Sequence, residues 1–247
     1  MQTPNRQTYA IGDIHGHLDL LRGVHDLVAE DMARHGAGQV LHVGDLVDRG
    51  PDSRGVVEYL RQGIAGGQDW IVLKSNHDRL FTMFMDDPLA SDPGLRSDLS
   101  WLHPKLGGGV TLGSYGVPNA SDRPIAKVHA EALAAVPQEH LDFLTSRPTW
   151  HRANGAIFVH AGVRPGIAIE DQAEDDLLWI RKGFLDHEAP FEALIVHGHT
   201  AIEAPTHYGN RVNIDSSAAY GGPLSVVVVE DGAVFHLTAQ GRVPLLP

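Results

Sequence analysis

Five polar blocks recur along the chain, and each offers side chains that can hold a metal ion or a phosphate. They are Gly12-Asp13-Ile14-His15-Gly16, Gly44-Asp45-Leu46-Val47-Asp48-Arg49-Gly50, Ser75-Asn76-His77-Asp78, His160-Ala161-Gly162 and His197-Gly198-His199-Thr200. Asp13 and His15 are two apart, so on extended backbone both point to the same side. Asp45 has two oxygens with which to bridge two ions, and Asn76, His160 and His199 can complete the second. The set is rich in oxygen and nitrogen and has no thiolate, which suits Mn²⁺, Fe or Zn²⁺, with Mn²⁺ the leading expectation. Two such ions about 3.5–4 Å apart clamp a phosphate and bring the pKa of a shared water towards about 7, making that water the nucleophile. A leaving group also needs a proton. His77 adjoins Asn76 and so faces the same centre. Asp48, three residues beyond Asp45, is the carboxylate that would fix its tautomer and favour its protonated form. Arg49 can grip two phosphate oxygens with its planar fork. Arg181, after the apolar run Leu177-Leu178-Trp179-Ile180, is a second clamp.

These blocks need elements to carry them. Tyr9 to Ile11, Gln39 to Val43 and Trp70 to Leu73 read as short strands. Leu18, Leu21, Val24, Leu27 and Val28 recur at helical spacing between the first two. Ser53 to Leu60 is helical, with Pro51 and Asp52 as start signals. The βαβαβ rhythm predicts parallel strands with helical crossovers. Ligands then sit beyond the carboxyl ends of the strands, where the Asp13, Asp45 and Asn76 blocks fall. Pro88 to Pro124, rich in Gly, Pro, Ser and Asp, reads as a surface excursion or lid. Lys127 to Val136 and Gln138 to Leu144 read as two helices separated by Pro137. The remainder is strand-rich: Ala156 to His160, Leu194 to His197, Arg211 to Ile214, Leu224 to Glu230 and Ala233 to Leu237. Asp231-Gly232 marks a hairpin turn. No repeat or linker divides the chain, so one α/β (α+β) domain over residues 1–247, built on two sheets packed face to face with helices outside, is expected.

Composition narrows the function classes. The chain has 247 residues, enough to bury a sizeable core, and 43% of them are hydrophobic. A formal net charge of −12 disfavours nucleic acid and anionic membranes as partners. An anionic substrate therefore needs a local cationic centre, which metal ions would supply. The absence of cysteine excludes disulfides, thiolate zinc sites and a cysteine nucleophile. Met1 to Thr8 is polar and lacks the apolar core of a signal peptide, and no apolar run reaches membrane-spanning length. A soluble cytoplasmic protein is the expectation.

Taken together and in order, the blocks resemble those of the metallophosphoesterases, specifically the phosphoprotein phosphatase (PPP) family and its bacterial branch. The pattern GD-x-HG, GD-x-x-DRG, GNH-[DE], a histidine before a small-residue turn, and GH with Thr is met here by GDIHG, GDLVDRG, SNHD, HAG and HGHT, spanning Gly12 to Thr200. Thr111 to Gly116, Leu178 to Arg181, and Ile214-Asp215 with Tyr220-Gly221-Gly222 are similar to further segments of the bacterial branch. The resemblance implies a calcineurin-like metallophosphoesterase domain, a sandwich of two mixed β-sheets flanked by helices. It implies that Asp13, His15 and Asp45 hold one metal, and Asp45, Asn76, His160 and His199 the other. His77 with Asp48 would give the proton, and Arg49, Asn76 and Arg181 would bind phosphate. Ser75 stands where the family has Gly, placing a Cβ where the backbone is expected to need a positive φ. Ser216-Ser217 stands where Thr-Gly would be expected.

With 16 histidines in the chain, most must be structural. His17, His25, His35, His103, His129, His140, His187 and His236 read as surface or satisfied core residues, and His42 as a packing residue of its strand. His197 reads as support behind His199. Gly107 to Gly109 reads as a flexible turn, because no P-loop Lys-Ser/Thr follows. The expected activity is hydrolysis of phosphomonoesters, on phosphoserine or phosphothreonine of a protein and with phosphotyrosine or a small monoester as further substrates. A symmetrical dinucleoside polyphosphate (Ap4A) hydrolase is the rival enzyme; those relatives usually lack the Asp matched by Asp48. A silent binding module that keeps the fold is the rival of another class.

Overall fold

The computed structural model describes residues 7–247. Most of the Met1–Thr8 stretch read as lacking a leader lies outside them. The elements in order are β1 (Gln7–Ile11), α1 (Leu18–His35), β2 (Gln39–His42), α2 (Ser53–Ala65), β3 (Trp70–Val72), α3 (Asn76–Asp86), α4 (Gly108–Ser114), α5 (Ile125–Ala135), α6 (Gln138–Thr145), β4 (Trp150–Ala153), β5 (Ala156–Val159), α7 (Glu174–Trp179), β6 (Leu194–His197), β7 (Thr206–His207), β8 (Arg211–Asn213), β9 (Val226–Glu230), β10 (Ala233–Thr238) and β11 (Gly241–Pro244). Two mixed sheets result. One has the order β11-β10-β9-β1-β2-β3 and the other β4-β5-β6-β8-β7. As the crossovers require, β1, β2 and β3 run parallel, and so do β5, β6 and β8. The polar blocks therefore leave two parallel ladders at their carboxyl ends.

Side-chain alternation builds the layers. Ala10, Leu41, Val43, Phe158, Val196, Val212, Val227 and Val229 fill the space between the sheets. Tyr9, Ile11, Val40, Val226 and Val228 point the other way, onto Leu21, Val24 and Val28 of α1 and Val56, Val57 and Leu60 of α2. Ile157, Val159 and Ile195 face outward from the second sheet onto Leu177, Leu178 and Phe184. This is the two-sheet sandwich flanked by helices. Among the described residues no helix is long and apolar enough to cross a membrane.

Elements not expected from the sequence include α3, β4 and β11, besides α4 and the short β7. α3 starts inside the Asn76 block, because Ser75 caps it by accepting a hydrogen bond from the Asp78 N–H. β4 pairs with β5 across Asn154-Gly155, a left-handed pair with φ of 49° and 80°. β11 adds an edge through a turn at Gln240. The 88–124 segment is not confined to the surface: Trp101, Leu102, Leu106, Leu112, Tyr115 and Val117 join the outer core beside α3. Gly107 to Gly109 is not a flexible turn, since Gly108 and Gly109 open α4.

The histidines read as structural include one ordered chain. His42 Nδ1 lies 2.9 Å from the Ile71 carbonyl, which can only accept, so this nitrogen carries the proton. His42 Nε2 then accepts from His25 Nε2 at 2.9 Å, and His25 Nδ1 accepts from the Tyr59 hydroxyl at 2.9 Å. Trp70 packs against both rings, and Arg22 lies over Tyr59. Burial lowers the pKa of His25 to about 4; burial and the facing His25 lower that of His42 to about 3. A histidine depressed in the folded state binds protons more readily when unfolded. Its contribution to stability is complete above the unfolded value of about 6.5 and is lost as pH falls from there towards the folded value. His25→Gln should flatten the dependence of urea-unfolding free energy on pH between about 6.5 and 4, by at most about 1.4 kcal/mol per pH unit. An unchanged slope would show that this chain does not set acid stability.

Candidate metal and phosphate site

The blocks meet because their loops are cross-tied by backbone. The N–H groups of Ile14 and His15 donate to the Asp45 carbonyl, that of Gly16 to Leu46, and that of Gly198 to His160. The turns are tight. Of the nine non-glycine residues with positive φ among those described, five are site residues: His15, Asp45, Asp48, Arg49 and His199. Left-handed backbone is unfavourable for such residues, and its concentration here marks the strand ends as shaped for the site and not for stability. The positive φ expected at Ser75 is absent; its φ is −124°, the ordinary value for a helix cap. Ser217 carries the strain instead, at φ 66°, where the family pattern has Gly.

Asp45 lies at the centre and is 2% exposed. Its Oδ2 is 3.1 Å from His15 Nε2, and its Oδ1 is 3.4 Å from His160 Nε2. His160 Nε2 is also 2.8 Å from Asn76 Oδ1, and His199 Nδ1 is 3.1 Å from the same oxygen. His15 gives its Nδ1 proton to the Val47 carbonyl and His160 gives its own to Val43. Each therefore turns an Nε2 lone pair to the centre, that of His15 meeting Arg49 there. Burial lowers the His160 pKa to about 4 and that of His199 well below its usual value. Asp13 accepts from the His199 N–H through Oδ2 at 2.9 Å, while its Oδ1 is buried without a partner. Its pKa is raised by burial and then by the charges of Asp215 and Asp45. Burial would raise Asp45 as well, but the imidazoles of His160, His77 and His15 outweigh it and hold that carboxyl well below its usual value.

Lone pairs that face one another without protons between them, beside crowded carboxylates, are the environment a divalent cation fits. Ligand atoms converge in two groups: Asp45 with His160 and His199, and His15 with Asp45 and His77. The second group contains His77 where the sequence pattern nominated Asp13, which stays within the same crowd of carboxylates.

The proton-donating candidates also meet. His77 Nδ1 is 2.6 Å from Asp48 Oδ2, with Asp48 fully buried. Burial lowers the His77 pKa, against the opposing pull of Asp45 and Asp48. The Arg49 guanidinium is turned inward, donating to His15 Nε2 at 2.6 Å and His77 Nε2 at 3.0 Å, and lies over the Tyr220 ring. Arg181 donates to the His199 carbonyl at 3.1 Å. A pocket of about 230 Å³ opens over Asp45, Asn76, His77 and His199; Arg49 and Arg181 line it, and Leu95, Leu106, Trp179 and Tyr220 contribute its apolar wall. Sequence reasoning missed Trp101 and Thr111, both of which donate to Asp48. An indole N–H in a Gly- and Pro-rich stretch needs a partner once buried, and that was the available signal. His197 sits behind the site against Phe184, its Nδ1 bonded to the Gly198 carbonyl.

Fold and site together define a metal-dependent phosphoesterase. The calcineurin-like phosphoesterase family matches residues 7–229, and the chain belongs to it. It is 26% identical over 231 residues to serine/threonine-protein phosphatase 1 of Salmonella typhimurium, a match covering 91% of this chain and 93% of that one. It is 23% identical over 238 residues to the asymmetrical bis(5'-nucleosyl)-tetraphosphatase PrpE of Anoxybacillus flavithermus, covering 88% of each. A solved candidate diadenosine tetraphosphatase shares the fold with a TM-score of 0.64 at 21% identity, over 99% of this chain and 96% of that one.

Gly198 precedes the ligand candidate His199, and a Cβ on it would lie 1.9 Å from Asp13 Oδ1. Gly198→Ala should therefore weaken Mn²⁺ binding in calorimetric titration about 10–100-fold, the range for residues that set a ligand's orientation. Asp45→Asn should lose most bound metal. Gly23→Ala, whose Cβ meets nothing within 4 Å, is the control and should bind as the wild type does. Full Mn²⁺ occupancy in Asp45→Asn would refute the ligand assignment.

Proposed function

We propose that the chain is a phosphomonoester hydrolase of the protein phosphatase type, acting on phosphoserine or phosphothreonine with two Mn²⁺ ions. Asp13, His15 and Asp45 would hold one ion, and Asp45, Asn76, His160 and His199 the other. When bound, the ions supply positive charge to the phosphoryl oxygens and lower the pKa of a water. The chain's own residues do the rest. Arg49, Arg181 and the Asn76 amide orient the phosphate. His77, its Nδ1–H held by Asp48, would take up a second proton from water at Nε2 and hand that proton to the departing oxygen. Leu95, Leu106 and Trp179 keep bulk water from one side of the pocket.

The observation that carries the choice of substrate is the pocket itself. About 230 Å³ lined by two guanidinium groups suits one phosphate and the first atoms of its ester. A polyphosphate chain needs a longer run of cations, and a net charge of −12 works against it at long range. The basic residues of the 88–124 segment are Arg96, Lys105 and Arg123, and none of them lines the pocket. The rival reading, a symmetrical dinucleoside polyphosphate hydrolase, draws on relatives named as tetraphosphatases, both asymmetrical and symmetrical, and Trp179 and Tyr220 offer faces on which a base could stack.

Competition at equal concentration in Mn²⁺ should show a phosphoserine peptide hydrolysed with kcat/KM well above that for diadenosine tetraphosphate. Preferential cleavage of the dinucleotide would promote the rival. His77→Asn should retain metal yet lose about 10²–10⁴-fold in kcat on the phosphopeptide, and less on p-nitrophenyl phosphate, whose leaving group needs less protonation. Equal losses on both esters would make His77 a binding residue and not the acid.

A further inference from the structure

Besides giving Leu95 and Leu106 to the pocket wall, the 88–124 segment meets Asp48 and Arg49 through three residues. Trp101 Nε1 donates to both Asp48 oxygens, at 3.1 and 2.9 Å. Thr111 Oγ1 donates to Asp48 Oδ1 at 2.7 Å and accepts from the Asp48 N–H at 2.8 Å. Gly107 packs so closely on the next residue that a Cβ there would lie 2.3 Å from the Arg49 nitrogen. Trp101 is 5% exposed, and Thr111 and Asp48 are wholly buried. Asp48 and Arg49 are consecutive left-handed residues, with φ of 75° and 68°. Neither can relax while Thr111 holds the backbone and Gly107 fills the space beside it.

We propose that Trp101 and Thr111 are positioning residues for proton transfer, and that Gly107 is one for phosphate binding. The roles of Trp101 and Thr111 rest on His77 as the proton donor of the proposed function. A carboxylate free to rotate can meet an imidazole proton in many directions. Here two donors take up the remaining lone pairs of Asp48, and only the Oδ2 direction towards His77 Nδ1 is left. Asp48 accepts from all three donors, so His77 carries its resting proton on Nδ1 and directs Nε2, the atom that would take up and pass on a second proton, to the pocket side, where Arg49 meets it. Thr111 bonds both the backbone and the side chain of Asp48, sharing the backbone N–H with the Ser53 hydroxyl, and so ties the strained turn to the orientation of the acid pair. Gly107 acts on the neighbouring residue, and through it on the fork that grips phosphate.

The test uses the full chain with Mn²⁺ and the variants Trp101→Phe, Thr111→Val, Thr111→Ser and Gly107→Ala. Thr111→Val keeps the shape and removes the hydroxyl. For it and for Trp101→Phe, kcat on a phosphoserine peptide should fall about 10–100-fold, the range for partners that orient a functional side chain. The loss should be smaller on p-nitrophenyl phosphate, KM should hold, and Thr111→Ser should recover the rate. Gly107→Ala should instead raise KM for both esters. A second readout needs neither metal nor substrate. Nitrogen-15 NMR of the imidazoles in the metal-free protein should show His77 protonated on Nδ1 in wild type and Thr111→Ser, and mixed tautomers in Thr111→Val. An imidazole spectrum unchanged by Thr111→Val overturns the proposal whatever the kinetics show. Should His77→Asn lose equally on both esters, the reading of His77 as donor fails, and the NMR comparison still decides whether Thr111 and Trp101 position it.

Discussion

The burial of Asp45 between two facing imidazoles is the constraint on which the rest of the structure depends. Its carboxylate is nearly inaccessible, with His15 from the first sheet on one side and His160 from the second on the other. An ionised carboxylate in such a place is costly unless charge or hydrogen bonds compensate it. The imidazoles of His160, His77 and His15 outweigh that cost, while the Nδ1 protons of His15 and His160 are donated outward to Val47 and Val43. The centre is therefore rich in lone pairs and short of protons. That electrostatic imbalance gives the cluster its chemistry, and the sandwich around it exists to hold the imbalance in place.

How the sandwich does so follows from strand direction. β1, β2 and β3 in one sheet and β5, β6 and β8 in the other are parallel within their sheets, so the loops that carry Asp13, Asp45, Asn76, His160 and His199 gather at one edge. Chain direction alone does not aim a side chain. The aiming is done by left-handed backbone at His15, Asp45, Asp48, Arg49 and His199, held by cross-loop bonds such as that from the His15 N–H to the Asp45 carbonyl. Strain of this kind persists only where the surroundings over-determine it, and the packed strands of both sheets provide that support.

The site also depends on parts of the chain that no local pattern links to it. The 88–124 segment is irregular, yet it contributes Leu95 and Leu106 to the pocket wall and donors to Asp48. Its attachment explains this. Asp92 is buried in a two-point bond with Arg79 of α3, and Arg79 also reaches Asp175 of α7. The segment is thereby tied to the helix that begins at the Asn76 block and the one that ends just before Arg181, so one charge network joins elements that line the same pocket.

Much of this was legible in the chain itself. Apolar periodicity located β1, α1, β2, α2 and β3 to within a few residues, because burial of one helix face or of alternate strand positions is a local property of the sequence. The order of five motifs with Asp, His, Asn and Arg named the ligand candidates and the family, because metal and phosphate chemistry accepts few residue types. Tertiary structure decided what depends on contacts between distant segments. It placed His77 among the atoms converging on His15 and Asp45, turned Arg49 onto two histidines, and brought Trp101 and Thr111 from an irregular stretch onto Asp48. It also moved the backbone strain from Ser75 to Ser217, because a serine ahead of Asp78 can cap a helix in ordinary extended geometry. Sequence determines which groups are available; only packing sets which of their lone pairs and protons face each other, since that depends on separations of an ångström between residues far apart in the chain.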